Sequence, residues 1–420
     1  MYILALNCGS SSLKYKVFEE DTLKSIVSGT VEKIGLPDSF VTQKYPDGTK
    51  QRKDVSMQNH NEALGVVLTL LREASIDMNA ISAVGHRVVM GGDKYASSVE
   101  VNDEVIKTLT ELSPLAPLHN PSGILGIVTA QQLLPNAKQV AVFDTAFHQT
   151  MPDYAYRYAV PEAWYKDLGV RRYGFHGTSH LYVSKRAAAM LDKPADKCNL
   201  ITAHIGSGAS MAAIKNGKCI DTSMGMTPTA GLTMGTRTGD IDPSIVLYVM
   251  GRLGITAEQM TTFMNKQSGL LGLTQCSSDR RDVEGNKDTD DKCRLALDVE
   301  VNNVKKYIGA YMAELGGNVD AIVFTAGVGE NDDWLREQYC SGLEGMGIKL
   351  DKKLNSEALA RKGYGDTVIS TPDSKIKIMM IPTDEELVIA EDARAIKRGT
   401  YNPDHLKMDY SFAKLNSKQR

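Results

Sequence analysis

Residues 3–12 read ILALNCGSSS, an apolar run followed directly by small and polar residues. A short apolar run is typical of a buried β-strand, and glycine with serine is typical of a turn. Beyond the turn, Leu13, Tyr15 and Val17 alternate with polar residues, which is the period of a second strand. The start of the chain therefore predicts a β-hairpin with a small polar tip.

The same pattern recurs near the middle of the chain. Residues 200–203 are apolar, residues 204–210 read HIGSGAS, and apolar residues resume at 211–214. Two further strands resemble each other, VAVFDT at 140–145 and AIVFTA at 321–326. Helical segments lie between these strands, so the pattern predicts a duplicated α/β domain with sheets covered by helices. Chance similarity is the alternative, because short apolar strands are common.

The C-terminal region predicts one more helix and a tail. Thr383 and Glu386 have the spacing of a capping box, and Gly399 supplies a stop, which predicts a helix over 384–398. Residues 399–420 are polar and show no apolar period, so we expect an appendage there.

Composition and charge exclude several classes of protein. The 420 residues are enough for two hydrophobic cores, and 42% hydrophobic with 24% charged residues is typical of a globular protein. The 48 Lys and Arg residues against 51 Asp and Glu residues give a formal net charge of −3. A chain with this charge does not attract nucleic acid electrostatically. No apolar stretch approaches the roughly 18 residues of a membrane span, and the six scattered cysteines form no Cys-x-x-Cys pair. We expect a cytoplasmic protein with reduced thiols and no membrane contact.

Three further segments are rich in glycine: HIGSG at 204–208, GLTMGTRTGD at 231–240 and GVGEN at 327–331. Glycine and serine let backbone N–H groups approach an anion closely, and Lys14 adds a cation after the first turn. Neither a P-loop nor a Gly-x-Gly-x-x-Gly motif occurs in its strand-to-helix context, so these chemistries lack support. The segments favour phosphate as the ligand, with a simple turn as the alternative for the N-terminal hairpin.

Four charged residues stand where packing does not require them. Arg87 and Arg237 each lie beside glycine; a guanidinium there suits a phosphoryl group in transit, and a surface salt bridge is the alternative. Asp144 ends an apolar strand, where a carboxylate would hold Mg²⁺ or orient a nucleophile. Glu385 is favoured in the first turn of the C-terminal helix by the helix dipole, without any metal.

Two histidines lie in small-residue segments. His176 belongs to YGFHGTSH at 173–180, where a zinc site would need a third ligand that the sequence does not place. We expect His176 to donate a hydrogen bond to an oxyanion, and His204 to act in the same way.

Six motifs follow one another along the chain: NxGSSSxK at 7–14, GHRVV at 85–89, FDTAFH at 143–148, FHGTSH at 175–180, GTRTGDIDP at 235–243 and FTAGVGEN at 324–331. Their order and spacing, over the chain up to about residue 398, resemble the acetokinase family. The resemblance implies an α/β fold of two duplicated ribonuclease H-like domains, as in actin-like ATPases, with a nucleotide cleft between them. We expect an N-terminal domain over 1–150 completed by helix 384–398, a C-terminal nucleotide-binding domain over 151–383, and a tail over 399–420.

The resemblance also implies a reaction, ATP + acetate ⇌ ADP + acetyl phosphate, with Mg²⁺ or Mn²⁺ and usually in a homodimer. It implies catalytic roles for Asp144, Arg87, Arg237 and His176, and Mg²⁺-site roles for Asn7 and Glu385. The substrate pocket implied for the acetyl group comprises Arg87, Val89, Leu118, Phe175 and Pro228. The nucleotide contacts implied are Lys14, His204, Gly206, Ser207, Gly208, Asp279, Arg280, Arg281, Gly327, Val328, Gly329, Glu330 and Asn331.

The chain departs from the family pattern at two positions. Ser207 stands where asparagine is common, which would alter phosphate contacts or the phosphoryl donor. Asp384 also stands where asparagine is common, and it adds a negative charge beside the implied metal site.

Two alternative functions remain open. A propionate or butyrate kinase differs by one or two methylenes in an apolar pocket, each worth only about 1–3 kcal/mol. A nucleotide-switch ATPase of the actin or chaperone kind would share the fold. Arg87 and the apolar pocket residues favour a small acyl substrate over the switch.

Overall fold

The computed structural model describes residues 1–9, 11–117 and 119–414, which form two compact units. Unit 1 combines residues 1–149 with the chain from Asp384 onward, and unit 2 spans Thr150–Thr383. Each unit contains one β-sheet with helices packed against it.

The sheet of unit 1 has the strand order β5-β4-β3-β2-β1-β6-β8-β7. Its strands are β1 Tyr2–Cys8, β2 Ser12–Glu19, β3 Ser25–Glu32, β4 Phe40–Lys44, β5 Lys50–Asp54, β6 Ile81–Val88, β7 Val99–Glu100 and β8 Lys138–Phe143. Its first helices are α1 His60–Glu73, α2 Asp103–Leu112 and α3 Asn120–Leu133. The hairpin predicted at the start of the chain is confirmed as β1–β2, while β1, β6 and β8 run parallel.

The sheet of unit 2 has the order β11-β10-β9-β12-β14-β13. Its strands are β9 Leu200–Ile205, β10 Ala209–Lys215, β11 Lys218–Thr222, β12 Ala321–Thr325, β13 Thr367–Val368 and β14 Lys377–Met380. Its helices are α4 Asp153–Tyr156, α5 Glu162–Leu168, α6 Gly177–Met190, α7 Pro243–Leu253, α8 Ala257–Lys266, α9 Gly269–Thr274, α10 Arg280–Gly285, α11 Asp291–Glu314, α12 Ala326–Asn331, α13 Asp333–Cys340 and α14 Lys352–Glu357.

The two sheets share a five-strand pattern, which supports the predicted duplication. In each, three consecutive strands form an antiparallel set, and two later strands continue the sheet in parallel with the first of them. The recurrence of the first hairpin is confirmed by β9–β10, although its turn is only 206–208 because the flanking residues extend the strands.

The predicted equivalence of the strands at 140–145 and 321–326 was wrong. Strand β12 lies directly beside β9, whereas β6 separates β8 from β1. By position in the sheet, β12 therefore corresponds to β6, and β14 corresponds to β8. Buried parallel strands share an apolar composition, so their sequences do not reveal which of them are equivalent.

The helix predicted near the C-terminus is α15, Glu385–Arg398, which packs on β1, β6 and β8. Its N-cap is Asp384, whose carboxylate accepts from the N–H of Leu387 at 3.1 Å; the expected capping box of Thr383 was wrong. The predicted stop at Gly399 is confirmed, with a φ of 69°. A Cβ on Gly85 in β6 would lie 2.9 Å from the Ile389 carbonyl oxygen, so glycine allows the helix to approach the sheet.

Residues 400–414, the described part of the expected tail, pack against α15 of unit 1, and the rest of the tail lies outside the described residues. Tyr410 and Phe412 are buried and stack with ring centroids 4.8 Å apart. Tyr410 donates a hydrogen bond to Asp392 at 2.9 Å, and Ser411 donates to the buried Glu391. These two aromatic residues do not belong to a helical or strand-like repeat of apolar residues. No local pattern in the sequence therefore predicted this packing.

Burial raises the pKa of Asp392 on α15 to about 7. In the unfolded chain an aspartate ionises near 3.9. As the pH rises from about 4 to about 7, the unfolded state therefore loses its proton before the folded state does, and the free energy of unfolding falls by about 1.4 kcal/mol per pH unit. We expect Asp392→Asn to remove this component of the pH dependence. The free energy of unfolding of both proteins, measured by urea denaturation at pH 5 and pH 7.5, tests this prediction. An equal change between the two pH values in both proteins would contradict the assignment.

Within the described residues, no helix is both long and apolar enough to cross a membrane. All six cysteines are free thiols.

Candidate active site

Three candidate site residues of unit 1 come from the ends of neighbouring parallel strands. Asn7 lies in β1, Arg87 in β6, and Asp144 directly follows β8. Parallel neighbours end at the same edge of a sheet, which is where α/β proteins place their ligand sites. The fold therefore brings together residues that are up to 137 positions apart in the sequence.

Arg87 and Asp144 form a bidentate ion pair. Nε of Arg87 donates to Oδ1 of Asp144 at 2.9 Å, and Nη2 donates to Oδ2 at 2.6 Å. Nη1 reaches Oδ1 of Asn7 at 3.3 Å. Asp144 is 1% exposed, while a fifth of the Arg87 side chain remains accessible. Burial opposes the charge of Arg87, but the Asp144 carboxylate outweighs it and raises the pKa of the guanidinium.

Glu385 is the half-buried first residue of α15 and lies in the electrostatic field of these groups. Burial raises its pKa to about 7; the charges of Asp144 and Glu386 act in the same direction, while Arg87 and Lys14 oppose the shift. Carboxylates that raise one another's pKa form a region to which a cation is attracted.

The oxygen donors of unit 1 fit a hard cation such as Mg²⁺. The ion takes oxygen ligands and is commonly held by one or two carboxylates together with substrate phosphates. Asn7 and Glu385 supply an amide oxygen and a carboxylate. Over the described ranges, no group of three or more His, Cys, Asp or Glu side chains is arranged to hold a metal ion.

Asp384, one of the two departures from the family pattern, has a cationic partner. Nζ of Lys16 donates to both carboxylate oxygens, at 2.9 and 2.8 Å. The negative charge that Asp384 adds beside Glu385 is therefore neutralised within unit 1. Lys14 and Lys16 share one face of β2, because side chains two residues apart point the same way.

The remaining predicted residues of unit 1 are Lys14, Val89 and Leu118. Lys14 is exposed and lies opposite Asn7 in the β1–β2 pair. Val89 is half-buried just beyond β6. Leu118 lies outside the described residues.

Three histidines of unit 2 form a hydrogen-bonded cluster. The rings of His176 and His204 stack with centroids 4.0 Å apart. The Ser210 hydroxyl lies 2.8 Å from Nδ1 of His176 and 2.8 Å from Nε2 of His180. When Ser210 donates to Nδ1 of His176, the ring proton stands on Nε2, which is then a donor to an oxyanion.

The turn at 206–208 brings this cluster close to Arg237. A Cβ on Gly208 would lie 3.4 Å from Nη1 of Arg237 and 3.6 Å from Nε2 of His176. Nη1 of Arg237 also donates to the Pro228 carbonyl at 3.1 Å. Gly208 therefore keeps open the space in which these two donors converge. Ser207 is exposed at the tip of the turn, whereas Phe175 is buried beside His176 in the chain.

Ten of the fourteen residues 279–292 are charged, which is typical of a solvated loop or helix end. The segment nevertheless contains helix α10, and two of its residues are buried. Arg280 donates to Glu300 at 2.9 Å and to the Gly206 carbonyl at 2.5 Å, so it supports the 206–208 turn. Its Nη2 is buried and has no hydrogen-bond partner among the described residues. Asp279 caps α10, and hydrogen bonds from Arg281 lower its pKa to about 2.

The predicted loop at 327–331 is the short helix α12. Oε1 of Glu330 accepts from the N–H of Ala326 at 2.8 Å and of Thr383 at 3.0 Å. Asn331 accepts from the N–H of Arg361 at 2.7 Å.

Several supporting residues were missed by the sequence analysis. They are Lys16, Ser179, Thr202, Ser210 and Glu300, which hold Asp384, the three histidines and Arg280. Polar and apolar residues alternate along β2, and this pattern could have indicated that Lys16 lies on the same face as Lys14. Glu300 lies on a helix far along the chain from the turn that it supports, so no local pattern indicates it.

The shared topology and the arginine–carboxylate pair define the class, a phosphotransferase of the actin-like ATPase fold. A sequence model of the acetokinase family matches residues 2–391. The chain belongs to the acetokinase family, and the fold class implied by its motifs is confirmed.

Named relatives cover nearly the whole chain. It is 51% identical over 421 aligned residues to a protein of Geobacter sulfurreducens named acetate kinase, with 99% of each chain covered. The crystal structure of Porphyromonas gingivalis acetate kinase is similar with a TM-score of 0.87 and 48% identity, covering 94% of this chain and 99% of that one. A propionate kinase structure from Francisella tularensis is similar with a TM-score of 0.87 and 41% identity, covering 93% and 98%.

Proposed function

We propose that the protein transfers the γ-phosphoryl group of ATP to acetate, reversibly, giving acetyl phosphate and ADP. The observation that carries the proposal is the Arg87 guanidinium held by both oxygens of the buried Asp144, in a chain of the acetokinase family. A carboxylate is ionised and nucleophilic at pH 7, so the transfer needs no strong base and proceeds directly, in line.

The residues of the chain supply positioning and charge. Arg87 and Arg237 stabilise the charge that spreads over the phosphoryl oxygens, and His176 donates to the same oxygens from Nε2. Asp144 fixes the plane of the Arg87 guanidinium, because the two prongs of the ion pair allow one orientation. Bound Mg²⁺, or Mn²⁺ in its place, would neutralise phosphate charge. Asn7 and Glu385 would hold it.

The nucleotide is assigned to residues with exposed or backbone donors. In unit 2 these are the 206–208 turn with His204, the Asp279–Arg281 segment and residues 327–331; in unit 1 it is Lys14. The buried Nη2 of Arg280 favours this assignment, since an unpaired buried donor is costly unless a ligand accepts from it.

The acyl group is assigned to Val89, Leu118, Phe175 and Pro228, with Arg87 at the carboxylate. Propionate is the second candidate substrate, favoured by the 41% identity to a protein named propionate kinase. We place the reaction in the cytoplasm, in keeping with six free thiols.

Trapping of acyl phosphate with hydroxylamine tests the function. The protein is incubated with ATP, Mg²⁺ and acetate, propionate, butyrate or no acid. We expect the most hydroxamate with acetate. More product with propionate would reassign the substrate, and ATP hydrolysis without any hydroxamate would favour the nucleotide switch.

The Ser207 departure makes a separate prediction. An asparagine side chain at this exposed turn would add one neutral hydrogen bond to phosphate, worth about 0.5–1.5 kcal/mol. We therefore expect Ser207→Asn to lower the KM for ATP by roughly two- to tenfold. Steady-state kinetics with ATP and with pyrophosphate measure this effect and any change of donor. Equal constants for both proteins would show that the departure is neutral.

We also propose a homodimer formed through α7. This helix has no buried residue, and its Leu247, Tyr248 and Leu253 are 74%, 64% and 66% exposed. Exposed apolar faces of this kind mark protein interfaces. We expect light scattering to give twice 45.8 kDa, and Leu247→Glu to give the monomer mass. Leu295→Glu, at an exposed leucine on α11, is the matched control and should stay dimeric. A monomeric wild type would contradict the assignment.

A further inference from the structure

The segment that carries Arg237 is closed at its ends by its own last residue. We call this segment, residues 231–240, the arginine loop. Oδ1 of Asp240 accepts from the N–H of Gly231 at 2.8 Å, and the N–H of Asp240 donates to the Gly231 carbonyl at 2.9 Å. A Cβ on Gly239 would lie 2.6 Å from the Gly231 carbonyl oxygen, so the close approach of the two ends requires glycine. Asp240 therefore fixes the distance between the ends of the loop.

The middle of the arginine loop is held by backbone groups. The N–H of Met234 donates to the Arg237 carbonyl at 3.2 Å, and the N–H of Ser268 donates to the Thr236 carbonyl at 3.0 Å. A Cβ on Gly269, the first residue of α9, would lie 2.7 Å from the Arg237 carbonyl oxygen, so this helix lies directly against the residue that carries the guanidinium. The ends of the loop, in contrast, depend on side chains.

Helix α11 supplies two side chains that bind the arginine loop. The Tyr307 hydroxyl donates to Oδ2 of Asp240, and Oδ1 of Asn303 accepts from the N–H of Thr233 at 2.8 Å. Residues four apart are neighbours on the surface of a helix, so both side chains belong to one face of α11. The helix is 24 residues long and packs on α9 and on the sheet of unit 2. It therefore gives the loop a rigid support.

The bond between Tyr307 and Asp240 suits a role in positioning. Tyr307 is half-buried, and burial together with the hydrogen bond to Asp240 raises the pKa of its hydroxyl, which therefore remains a donor at neutral pH. Oδ1 of Asp240 is bonded to Gly231 and Oδ2 to Tyr307, so the carboxylate has one orientation. Asp240 is exposed, and the charge of an exposed carboxylate contributes little to stability. The two bonds therefore serve the geometry of the loop more than the stability of the fold.

We propose that Asp240 and Tyr307 are positioning residues for Arg237, which close the arginine loop, join it to α11 and so hold the guanidinium in place for phosphoryl transfer. Asp240 joins the two ends of the loop, and Tyr307 fixes the carboxylate that joins them. The effect on turnover rests on the proposed function, whereas the closure of the loop does not.

Opening of the loop would displace a donor from the place where two donors converge. Arg237 lies three residues before Asp240, and its Nη1 converges with Nε2 of His176 beside Gly208. A misplacement of about 1 Å can cost a hundredfold in rate. Because Arg237 acts on charge that develops during transfer, loss of either anchor should lower kcat and leave the KM values for ATP and acetate within about twofold.

Three variants of the full-length protein test the two anchors by steady-state kinetics. Asp240→Leu has a similar size but accepts no hydrogen bond, and we expect it to lower kcat by roughly ten- to a hundredfold. Tyr307→Phe keeps the ring and loses one hydrogen bond, which should lower kcat by roughly three- to tenfold. Asp240→Asn still accepts from Gly231 through Oδ1 and can donate to the Tyr307 oxygen through Nδ2. This conservative variant should therefore stay within about threefold of the wild type.

A double-mutant cycle separates positioning of Arg237 from general structural damage. If Tyr307 acts through Arg237, adding Tyr307→Phe to Arg237→Ala should lower kcat by less than about twofold further. Independent damage would instead multiply the two losses. Tyr364→Phe, at an exposed tyrosine of unit 2, is the matched control and should keep wild-type kcat.

Amide hydrogen exchange measures closure of the loop without any substrate. The peptide containing residues 231–240 should exchange faster in Asp240→Leu and Tyr307→Phe than in the wild type, and at the wild-type rate in Asp240→Asn and Tyr364→Phe. Unchanged exchange in the first two variants, wild-type kcat of Tyr307→Phe, or multiplied losses in the double variant would each overturn the proposal. If Asp240→Leu failed to fold, Tyr307→Phe would decide by the same measurements. If the wild type formed no acyl phosphate, the proposed function would fail, and hydrogen exchange would still decide whether the two residues close the loop.

Discussion

Replacing Arg237 with alanine is expected to lower kcat by roughly 10³ or more, the scale at which an arginine stabilises a phosphoryl group in transit. The structure explains why the loss should be large. Nη1 of Arg237 and Nε2 of His176 converge on the space beside Gly208, and the Pro228 carbonyl holds the guanidinium in place. A preorganised donor of this kind acts on charge that develops only during transfer, so its loss affects kcat more than KM.

Arg87→Ala should show a loss of the same size, with a further effect on stability. The substitution leaves the Asp144 carboxylate buried without its cationic partner, which costs about 3–5 kcal/mol. Arg237 is therefore the cleaner kinetic test, and the Tm of each variant should be measured beside its kinetics. Arg294→Ala, which removes an exposed arginine of α11, is the matched control and should keep wild-type kcat. A loss below tenfold for Arg237→Ala would remove this residue from the chemistry.

Replacing Asp144 with asparagine is expected to lower kcat by roughly 10²–10³ while nucleotide still binds. The amide has nearly the same shape, but it accepts only one of the two hydrogen bonds from Arg87 and carries no charge. The guanidinium then loses its fixed plane beside Asn7. The nucleotide contacts are assigned to other residues, so the Kd for ADP should change by less than about threefold.

Steady-state kinetics together with calorimetric titration of ADP measure both halves of this prediction. Asp54→Asn, at an exposed carboxylate that also pairs with an arginine, is the matched control in the same unit. Wild-type turnover of Asp144→Asn would exclude a role in transfer. Loss of ADP binding would show instead that Asp144 serves the nucleotide.

The sequence predicted those elements of the fold that depend on residues close together along the chain. The β1–β2 hairpin, its recurrence at β9–β10 and the stop at Gly399 all follow from alternation, turn residues and the freedom of glycine. Arg87 and Asp144 were also recognised as candidate site residues from the sequence, because packing does not require a charged residue at the end of an apolar strand.

Features that depend on distant partners were not predictable in this way. The hydrogen bonds that Oε1 of Glu330 accepts from the backbone of Ala326 and Thr383 are one example. Arg280 lies in a strongly charged segment, yet its guanidinium forms a buried ion pair with Glu300 on α11. In each case the deciding partner comes from another element, and a single sequence does not show which elements will pack together.

The discontinuity of unit 1 has a consequence for biosynthesis. Strands β1, β6 and β8 emerge early from the ribosome, but α15, which covers them, is made only after residues 150–383. At roughly 5–20 residues per second, translation of that insertion takes on the order of tens of seconds, during which the apolar face of the sheet lacks its final helix. Unit 2 is contiguous and is free to fold during this interval. We therefore expect the second unit to complete its fold before the first, and the uncovered sheet of unit 1 to be the surface that a ribosome-associated chaperone would shield.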